Sequence, residues 1–281
     1  MVDLMLSPSK IVTYTSCARK FWYRYIKKLP EPDSPHAIRG TLFHKVLEDF
    51  YDMIQADMLK QHKNWELLAD KFSHILNTIM AMEWNKLSQK HRSVFDDEKK
   101  WQDETREFLR FFAIKEAYRM HNFFKKNSAD DKWFSSNFER YFKPKSREEY
   151  IKIDNLHGYI DKVVNVFGRG VGVVDYKSGE NGIPHTIDDS HLLQLKTYAY
   201  MYEKKNNALP LHLSIYYAKT GESVFYKPQK EDVFEVEKLL DHIKALPLEE
   251  TRFNRTVTKL CDYCHFKPVC KPWEESTLIQ P

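Results

Sequence analysis

The hydrophobic periodicity of the chain changes once, near Trp133. Before this residue, apolar side chains recur every three or four positions, which predicts helices at 7–28, 37–54, 62–90 and 97–127. After it, short segments rich in β-branched and aromatic residues predict strands at 137–142, 150–154, 158–167, 171–177, 211–218 and 223–227. Helical spacing returns at 191–203 and 231–245. The sequence therefore predicts an α/β protein in which a helical block precedes a sheet flanked by helices.

The composition is that of a compact protein rather than a disordered or membrane-spanning one. Hydrophobic residues make up 42% of the 281 residues, yet no run approaches the roughly 18 apolar residues of a membrane helix. The first residues lack the charged-then-apolar order of a signal peptide, so we expect a cytoplasmic protein with no membrane partner. A net charge of +4 neither requires nor excludes a nucleic-acid partner.

Two predicted strands carry carboxylates in half-buried positions. The two-residue period of 171–177 places Asp175 and Lys177 on the same face as the preceding valines, and Asp161 lies within the strand before it. A carboxylate in such a setting costs several kcal/mol unless a cation or hydrogen-bond donors meet it. Two of them on neighbouring strands indicate a site for Mg²⁺ or Mn²⁺, with Lys177 beside it. The alternative is an ion pair between Asp161 and Lys177, with Asp175 capping the following turn.

Four short motifs occur in a fixed order along the chain. They are Gly40-Thr41-Leu42-Phe43-His44, Gly158-Tyr159-Ile160-Asp161, Asp175-Tyr176-Lys177 and Gln194-x3-Tyr198. This order resembles the RecB-like branch of the PD-(D/E)XK nuclease superfamily, over roughly residues 5–50 and 133–275. Ile160 replaces the proline of the motif. The helical segments of about 55–130 have no counterpart in the resemblance and look like an insertion.

The resemblance implies a restriction-endonuclease-like core with a central mixed β-sheet. It implies metal binding by His44, Asp161 and Asp175, catalytic assistance by Lys177, and contacts to the substrate or site by Gln194 and Tyr198. Glu139, in the strand predicted at 137–142, is a weaker candidate to support the site. Taken alone, His44 is more often an ordinary helix histidine, and the alternative for Gln194 and Tyr198 is core packing with an exposed amide.

The cysteines divide between the two ends of the chain. Cys17 stands alone, whereas Cys261, Cys264 and Cys270 form a C-x2-C-x5-C cluster 244 residues later. Because thiols stay reduced in the cytoplasm, we expect a metal site rather than disulfides. Four thiolates can hold zinc or a [4Fe-4S] cluster, and spacing alone does not separate the two. The C-x-x-C-H pattern also matches covalent haem attachment, which we reject because it leaves Cys17 and Cys270 unexplained.

The resemblance extends to these cysteines. Their arrangement is similar to that of iron-sulphur members of the RecB-like branch, namely AddB-type nucleases, CRISPR-associated RecB-like exonucleases and the nuclease domain of a eukaryotic replication helicase-nuclease. It therefore implies a [4Fe-4S] cluster that joins the two ends of the chain. Metal-ligand energy at such a site becomes folding energy.

Basic and aromatic residues near the cysteines indicate a nucleic-acid path. The basic residues are Arg19, Lys20, Arg24, Lys27, Lys28, Arg252, Arg255, Lys259, Lys267 and Lys271. Interleaved aromatic residues are Phe21, Trp22, Tyr23 and Tyr263, which can stack on unpaired bases or pack in the core.

Together these features predict four regions and a function. The regions are N-terminal helices at 1–50, a helical insertion at 51–130, a nuclease core at 131–250 and a cluster region at 251–281. The predicted function is a metal-dependent DNA exonuclease acting on single-stranded DNA or DNA ends in repair, recombination or CRISPR adaptation. Its predicted partners are a helicase or CRISPR adaptation proteins. The alternative is a non-catalytic DNA-end-binding or scaffold module that keeps the fold and the cluster.

Overall fold

A computed structural model describes residues 4–56, 64–126, 131–166, 168–179 and 186–270. These residues contain a five-stranded sheet in which the strands lie side by side in chain order. The strands are β1 (Ser146–Ile153), β2 (Leu156–Asn165), β3 (Val171–Lys177), β4 (His212–Tyr217) and β5 (Glu222–Tyr226). β3 and β4 are parallel and the other neighbours are antiparallel, so the sheet is mixed. This architecture, with its flanking helices, is consistent with the restriction-endonuclease-like fold.

The helices of the described residues lie before, between and after the strands. Those before the sheet are α1 (Pro8–Ser16), α2 (Ala18–Phe21) with a π-helical turn (Trp22–Ile26), α3 (Pro35–Met53), α4 (Trp65–Lys86), α5 (Gln89–Arg92), α6 (Glu98–Lys126) and α7 (Asp131–Tyr141). α8 (Asp189–Asn206) connects β3 to β4, and α9 (Lys230–Ala245) follows β5. Short 3₁₀ turns follow at Glu250–Arg252, Lys259–Tyr263 and Lys267–Val269. No helix in these ranges combines the length and the apolar character needed to cross a bilayer.

The sheet separates two hydrophobic clusters. On one face, α3, α4, α6 and α7 pack against Tyr176 and Tyr216. On the other face, α1, α2, α8 and α9 pack against Val173, Leu213 and Ile215. Because Ile215 and Tyr216 are adjacent in β4, alternation along the strand sends their side chains to opposite layers. The helical block and the α8–α9 pair therefore lie on opposite sides of one sheet.

Two of the predicted elements differ from those observed. The strand predicted at 137–142 is wrong, because 137–141 belong to α7. Phe138 and Phe142 are four residues apart, the spacing of one side of a helix, and both are buried. The helix predicted at 7–28 is interrupted at Cys17, whose backbone is extended with φ −162° and ψ 104°. Cys17 therefore lies outside the regular helix, at the junction of α1 and α2.

Candidate active site

The C-terminal end of β3 and the middle of β2 meet α3 and α8 at one side of the sheet. Six residues singled out from the sequence lie there: His44 on α3, Asp161 on β2, Asp175 and Lys177 on β3, and Gln194 and Tyr198 on α8. Arg39 fixes α3 against the end of β3, because its fully buried guanidinium donates to the Ser178 carbonyl oxygen at 3.2 Å and to Glu104 at 2.8 Å. The structure thus brings these side chains together, although 154 positions separate His44 from Tyr198 in the sequence.

The β3 side chains form a connected network with α8. Lys177 Nζ lies 2.8 Å from Asp175 Oδ2 and donates to Gln194 Oε1 at 2.7 Å. Gln194 Nε2 donates in turn to Asp175 Oδ1 and to the Tyr198 hydroxyl, each at 3.0 Å. Gln194 therefore holds the carboxylate and the ammonium of the Asp-x-Lys motif in a fixed relation. The alternative of an exposed Gln194 amide does not describe this arrangement.

A second group lies around Asp161. The backbone N–H of Tyr176 donates to Asp161 Oδ2 at 2.7 Å, and His44 Nε2 donates to the Tyr176 carbonyl oxygen at 3.0 Å. His44 Nδ1 lies 3.5 Å from both Asp161 Oδ1 and Glu148 Oε1. One ligand atom from each of His44, Glu148 and Asp161 lies within 4.8 Å of the other two. Imidazole and carboxylate donors at this separation fit a divalent cation.

The sequence patterns did not identify Glu148, and they predicted Glu139 in a strand that the structure does not contain. Glu139 lies on α7, where it pairs with Lys143 and its side chain is 73% exposed. Glu148 lies opposite Asp161, because Arg147 pairs with Lys162 and Glu149 pairs with Ile160. The backbone of Glu148 has φ +43°, a conformation that non-glycine residues rarely adopt. Such local strain is common at functional sites.

The alternation of β2 also breaks at Asp161. Gly158 faces α1 and α8, since a Cβ there would lie 2.9 Å from Pro8 and 3.4 Å from Met201, and Ile160 belongs to the same layer. Lys162 instead points to the other layer, where its Nζ donates to the Tyr51 hydroxyl at 2.6 Å. Asp161 therefore lies at the position where the side chains of β2 change the helical layer they face.

The buried acidic groups repel one another and attract His44. Burial raises the pKa of Asp161, the attraction of His44 lowers it, and the repulsion of Asp175 raises it. Burial lowers the pKa of His44, but Asp161, Glu148 and Asp175 together outweigh it and raise that pKa to about 10. Without metal, His44 is therefore an imidazolium that neutralises part of the acidic charge. A bound cation would take over this role and release the proton, as is usual when histidine binds a metal.

Asp175 also has capacity for a further ligand. It is 2% exposed, and its Oδ2 accepts no aligned hydrogen bond within the described part of the chain, although Lys177 Nζ is close. A buried carboxylate oxygen without a donor is costly, so this atom is suited to a cation. The donor set of His44, Glu148, Asp161 and Asp175 thus fits Mg²⁺ or Mn²⁺.

All four cysteines line one pocket, although Cys17 lies near the start of the chain and the other three near its end. Cys17, Cys261, Cys264 and Cys270 all contribute to its wall, together with Tyr23 and Phe266. None is in a disulfide. Burial raises the pKa of the Cys270 thiol, and the neighbouring Cys17 and Cys264 raise it further. The interruption of α1–α2 at Cys17 faces that thiol toward the cysteines of the tail.

Burial removes three of the four aromatic residues from the predicted nucleic-acid path. Phe21, Trp22 and Tyr23 are 6% exposed or less and pack in the core, so they do not stack on bases, whereas Tyr263 is 87% exposed. Arg19 bonds to Glu250 and Arg24 to Glu31 within the protein. Lys271 lies outside the described residues.

The sequence matches the PD-(D/E)XK nuclease superfamily over residues 5–271, nearly the whole chain. The protein therefore belongs to this superfamily, whose members are generally nucleases that use divalent metals. No curated protein matches the sequence. Family membership and the site geometry together suggest a metal-dependent nuclease with a DNA substrate.

Proposed function

We propose that this protein is a Mg²⁺- or Mn²⁺-dependent DNA exonuclease of the RecB-like branch, acting on single-stranded DNA or DNA ends. The main support is the convergence of His44, Glu148, Asp161 and Asp175 on one corner of the sheet, with Lys177 fixed beside them. A bound divalent cation would polarise the phosphodiester and lower the pKa of an attacking water.

The chain's own residues would then orient the reacting groups. His44 and the three carboxylates would hold the cation. Lys177, fixed by Asp175 and Gln194, presents its ammonium where it can orient the water or stabilise the negative charge that develops on phosphate. Gln194, itself bonded to Tyr198, bridges Lys177 and Asp175 and so fixes the geometry of their ion pair.

The test compares end-labelled linear and circular single-stranded DNA, incubated with Mn²⁺ or with EDTA. We expect release of short labelled products from the linear strand with Mn²⁺, little change in the circle, and no cleavage with EDTA. Cleavage of the circle would contradict exonuclease action. DNA binding without cleavage of either substrate would favour the alternative, a non-catalytic DNA-end-binding or scaffold module.

We propose in addition that Cys17, Cys261, Cys264 and Cys270 hold a [4Fe-4S] cluster. The supporting observation is that all four cysteines line one pocket. Protein purified without oxygen should contain about four iron atoms per chain and absorb broadly in the visible range. Stoichiometric zinc without iron would overturn the assignment. The predicted helicase and CRISPR adaptation partners, and the cytoplasmic location, stay predictions.

A further inference from the structure

A cavity of about 490 Å³ lies on the face of the sheet opposite Asp175 and Lys177. Its floor is made by β2, β3 and β4, and α6 of the helical block forms a wall. This volume is in the range of pockets that bind small ligands. None of the residues assigned to the candidate active site is among the described residues that line the cavity, so the cavity is separate from the proposed cleavage site.

The charges that line the cavity do not balance. Lys115, Arg119 and Lys162 are cationic, whereas Glu116 is the single carboxylate among the described lining residues. Glu116 is 2.7 Å from Arg119 and 3.4 Å from Lys162, and it neutralises one positive charge. Lys115 donates to neutral groups, the Gly221 carbonyl oxygen and Ser223 Oγ. Glu222, which lies outside the lining, also attracts Lys115. One positive charge thus remains in excess, which favours an anionic ligand.

One buried hydroxyl in the cavity also lacks a partner. Tyr216 is 2% exposed, and within the described part of the chain its hydroxyl makes no hydrogen bond. Buried hydroxyls are normally satisfied, and leaving one unpaired costs roughly 1–3 kcal/mol. Tyr216 lines the cavity, so a polar ligand within it can satisfy this hydroxyl.

The walls offer flat apolar surfaces. Phe112 makes edge-to-face contacts with Tyr176 and Tyr216 at the floor, with ring centroids 6.1 and 5.7 Å apart. Phe225 on β5 also lines the cavity, and it is 63% exposed, which is unusual for a large apolar ring. An exposed ring beside a cationic cavity is suited to stacking on a planar ligand.

We propose that this cavity binds a mononucleotide, whose phosphate contacts Lys115 and Arg119 and whose base packs against Phe225. The hydroxyl of Tyr216 then bonds to a polar group of the ligand. The site also reaches the catalytic corner, because the backbone of Tyr176 contacts both Asp161 and His44. A ligand in the cavity can therefore influence the candidate active site through Tyr176.

The test measures binding of dAMP to the full chain by calorimetry in metal-free buffer, where the candidate active site has no cation to hold phosphate. We expect one site per chain. Phe225→Ala should weaken binding at least about fivefold through lost stacking, and Lys115→Met at least about tenfold through lost charge. Phe234→Ala, which removes a 54% exposed ring on α9, is the matched control and should bind like the wild type.

A second pair of variants tests the Tyr216 hydroxyl. Tyr216→Phe should weaken dAMP binding severalfold, whereas Tyr217→Phe, which changes the next residue on the opposite face, should not. Unchanged melting temperatures will show that each variant is folded. The proposal is overturned if dAMP does not bind, if Phe225→Ala and Lys115→Met both bind normally, or if deoxyadenosine or inorganic phosphate alone binds as tightly as dAMP.

Discussion

The carboxylate corner and the cysteine pocket both gather residues from distant parts of the chain, but the protein supports them differently. At the carboxylate corner, strands and long helices hold Asp161, Asp175 and Gln194 through hydrogen bonds within the protein. At the cysteine pocket, residues 254–270 form short 3₁₀ turns, and Phe266 is the one buried residue among them. The first site is therefore held in place by the protein itself, whereas we expect the second to depend on the proposed cluster for stability.

This difference predicts how each site responds to mutation. Loss of a carboxylate should affect cleavage more than folding, because the surrounding bonds remain. Loss of a cysteine should affect stability first, because the tail has little other buried surface.

Asp175→Asn is expected to have the largest effect, at least about a thousandfold on the cleavage rate, because catalytic metal ligands supply several kcal/mol. The melting temperature should change by no more than about 4 °C, because the amide keeps the shape and relieves repulsion with Asp161. The measurements are single-turnover cleavage of labelled single-stranded DNA and thermal unfolding.

Lys177→Met should produce a similar loss of rate with DNA binding retained, since phosphate contacts elsewhere supply the affinity. Lys152→Met changes an exposed lysine on β1 and is the matched control. Wild-type rates in Lys177→Met would show that the site is wrongly assigned.

Cys17→Ser is expected to destabilise the protein by roughly 3 kcal/mol, about a quarter of the binding energy of a four-cysteine metal site. For a chain of this size the melting temperature should fall by roughly 5 °C, with loss of iron. Cys264→Ser should show the same loss of stability and iron. Ser16→Ala, which changes the exposed residue next to Cys17, should keep both. If Cys17→Ser kept its iron and its melting temperature, Cys17 would be an ordinary thiol and the two ends would be joined by packing alone.

Glu148→Gln is expected to reduce cleavage about 10- to 100-fold and to raise the Mn²⁺ concentration needed, since it removes one of four oxygen or nitrogen donors. Glu149→Gln is a close control, because Glu149 points away from the site and pairs with Lys205 at 2.7 Å. Equal effects of the two substitutions would remove Glu148 from the metal site.

Tyr198→Phe should have the smallest effect, less than about tenfold on the rate, because it removes one hydrogen bond from Gln194 and leaves the bonds to Asp175 and Lys177. Tyr202→Phe, one turn later on α8, removes a hydroxyl that bonds to Lys145 and should leave the rate unchanged. A thousandfold loss in Tyr198→Phe would assign the hydroxyl a direct role in the chemistry.

Much of the fold was predictable because local patterns agree with the tertiary structure. The run Val171–Lys177 is observed as β3 with its predicted bounds, and 191–203 and 231–245 lie within α8 and α9. Residues 137–142 were mistaken for a strand because Phe138, Tyr141 and Phe142 are aromatic residues common in strands. Their spacing of three and four residues is that of the inner side of a helix.

The missing part of the site could not be found by alternation alone. The two-residue turn Asp154–Asn155 pairs Ile153 with Leu156, and this register places Glu148 opposite Asp161. A hairpin read from that turn would have identified Glu148. The exchange of faces at Asp161 depends on contacts with both helical layers, which are not encoded in a local pattern.

The packing of Phe21 against Phe253 has a consequence for how the chain is made. The two rings stack at 6.0 Å with an interplanar angle of 11°, Trp22 lies 4.9 Å from Phe253, and the Arg19 N–H donates to the Asn254 carbonyl oxygen at 3.0 Å. More than 230 residues separate these partners, so the first helices emerge from the ribosome long before the segment that covers them. During translation at about 5–20 residues per second, their apolar faces stay open for more than about ten seconds. The contacts of Phe21 and Trp22 with Phe253 can therefore form only late in synthesis.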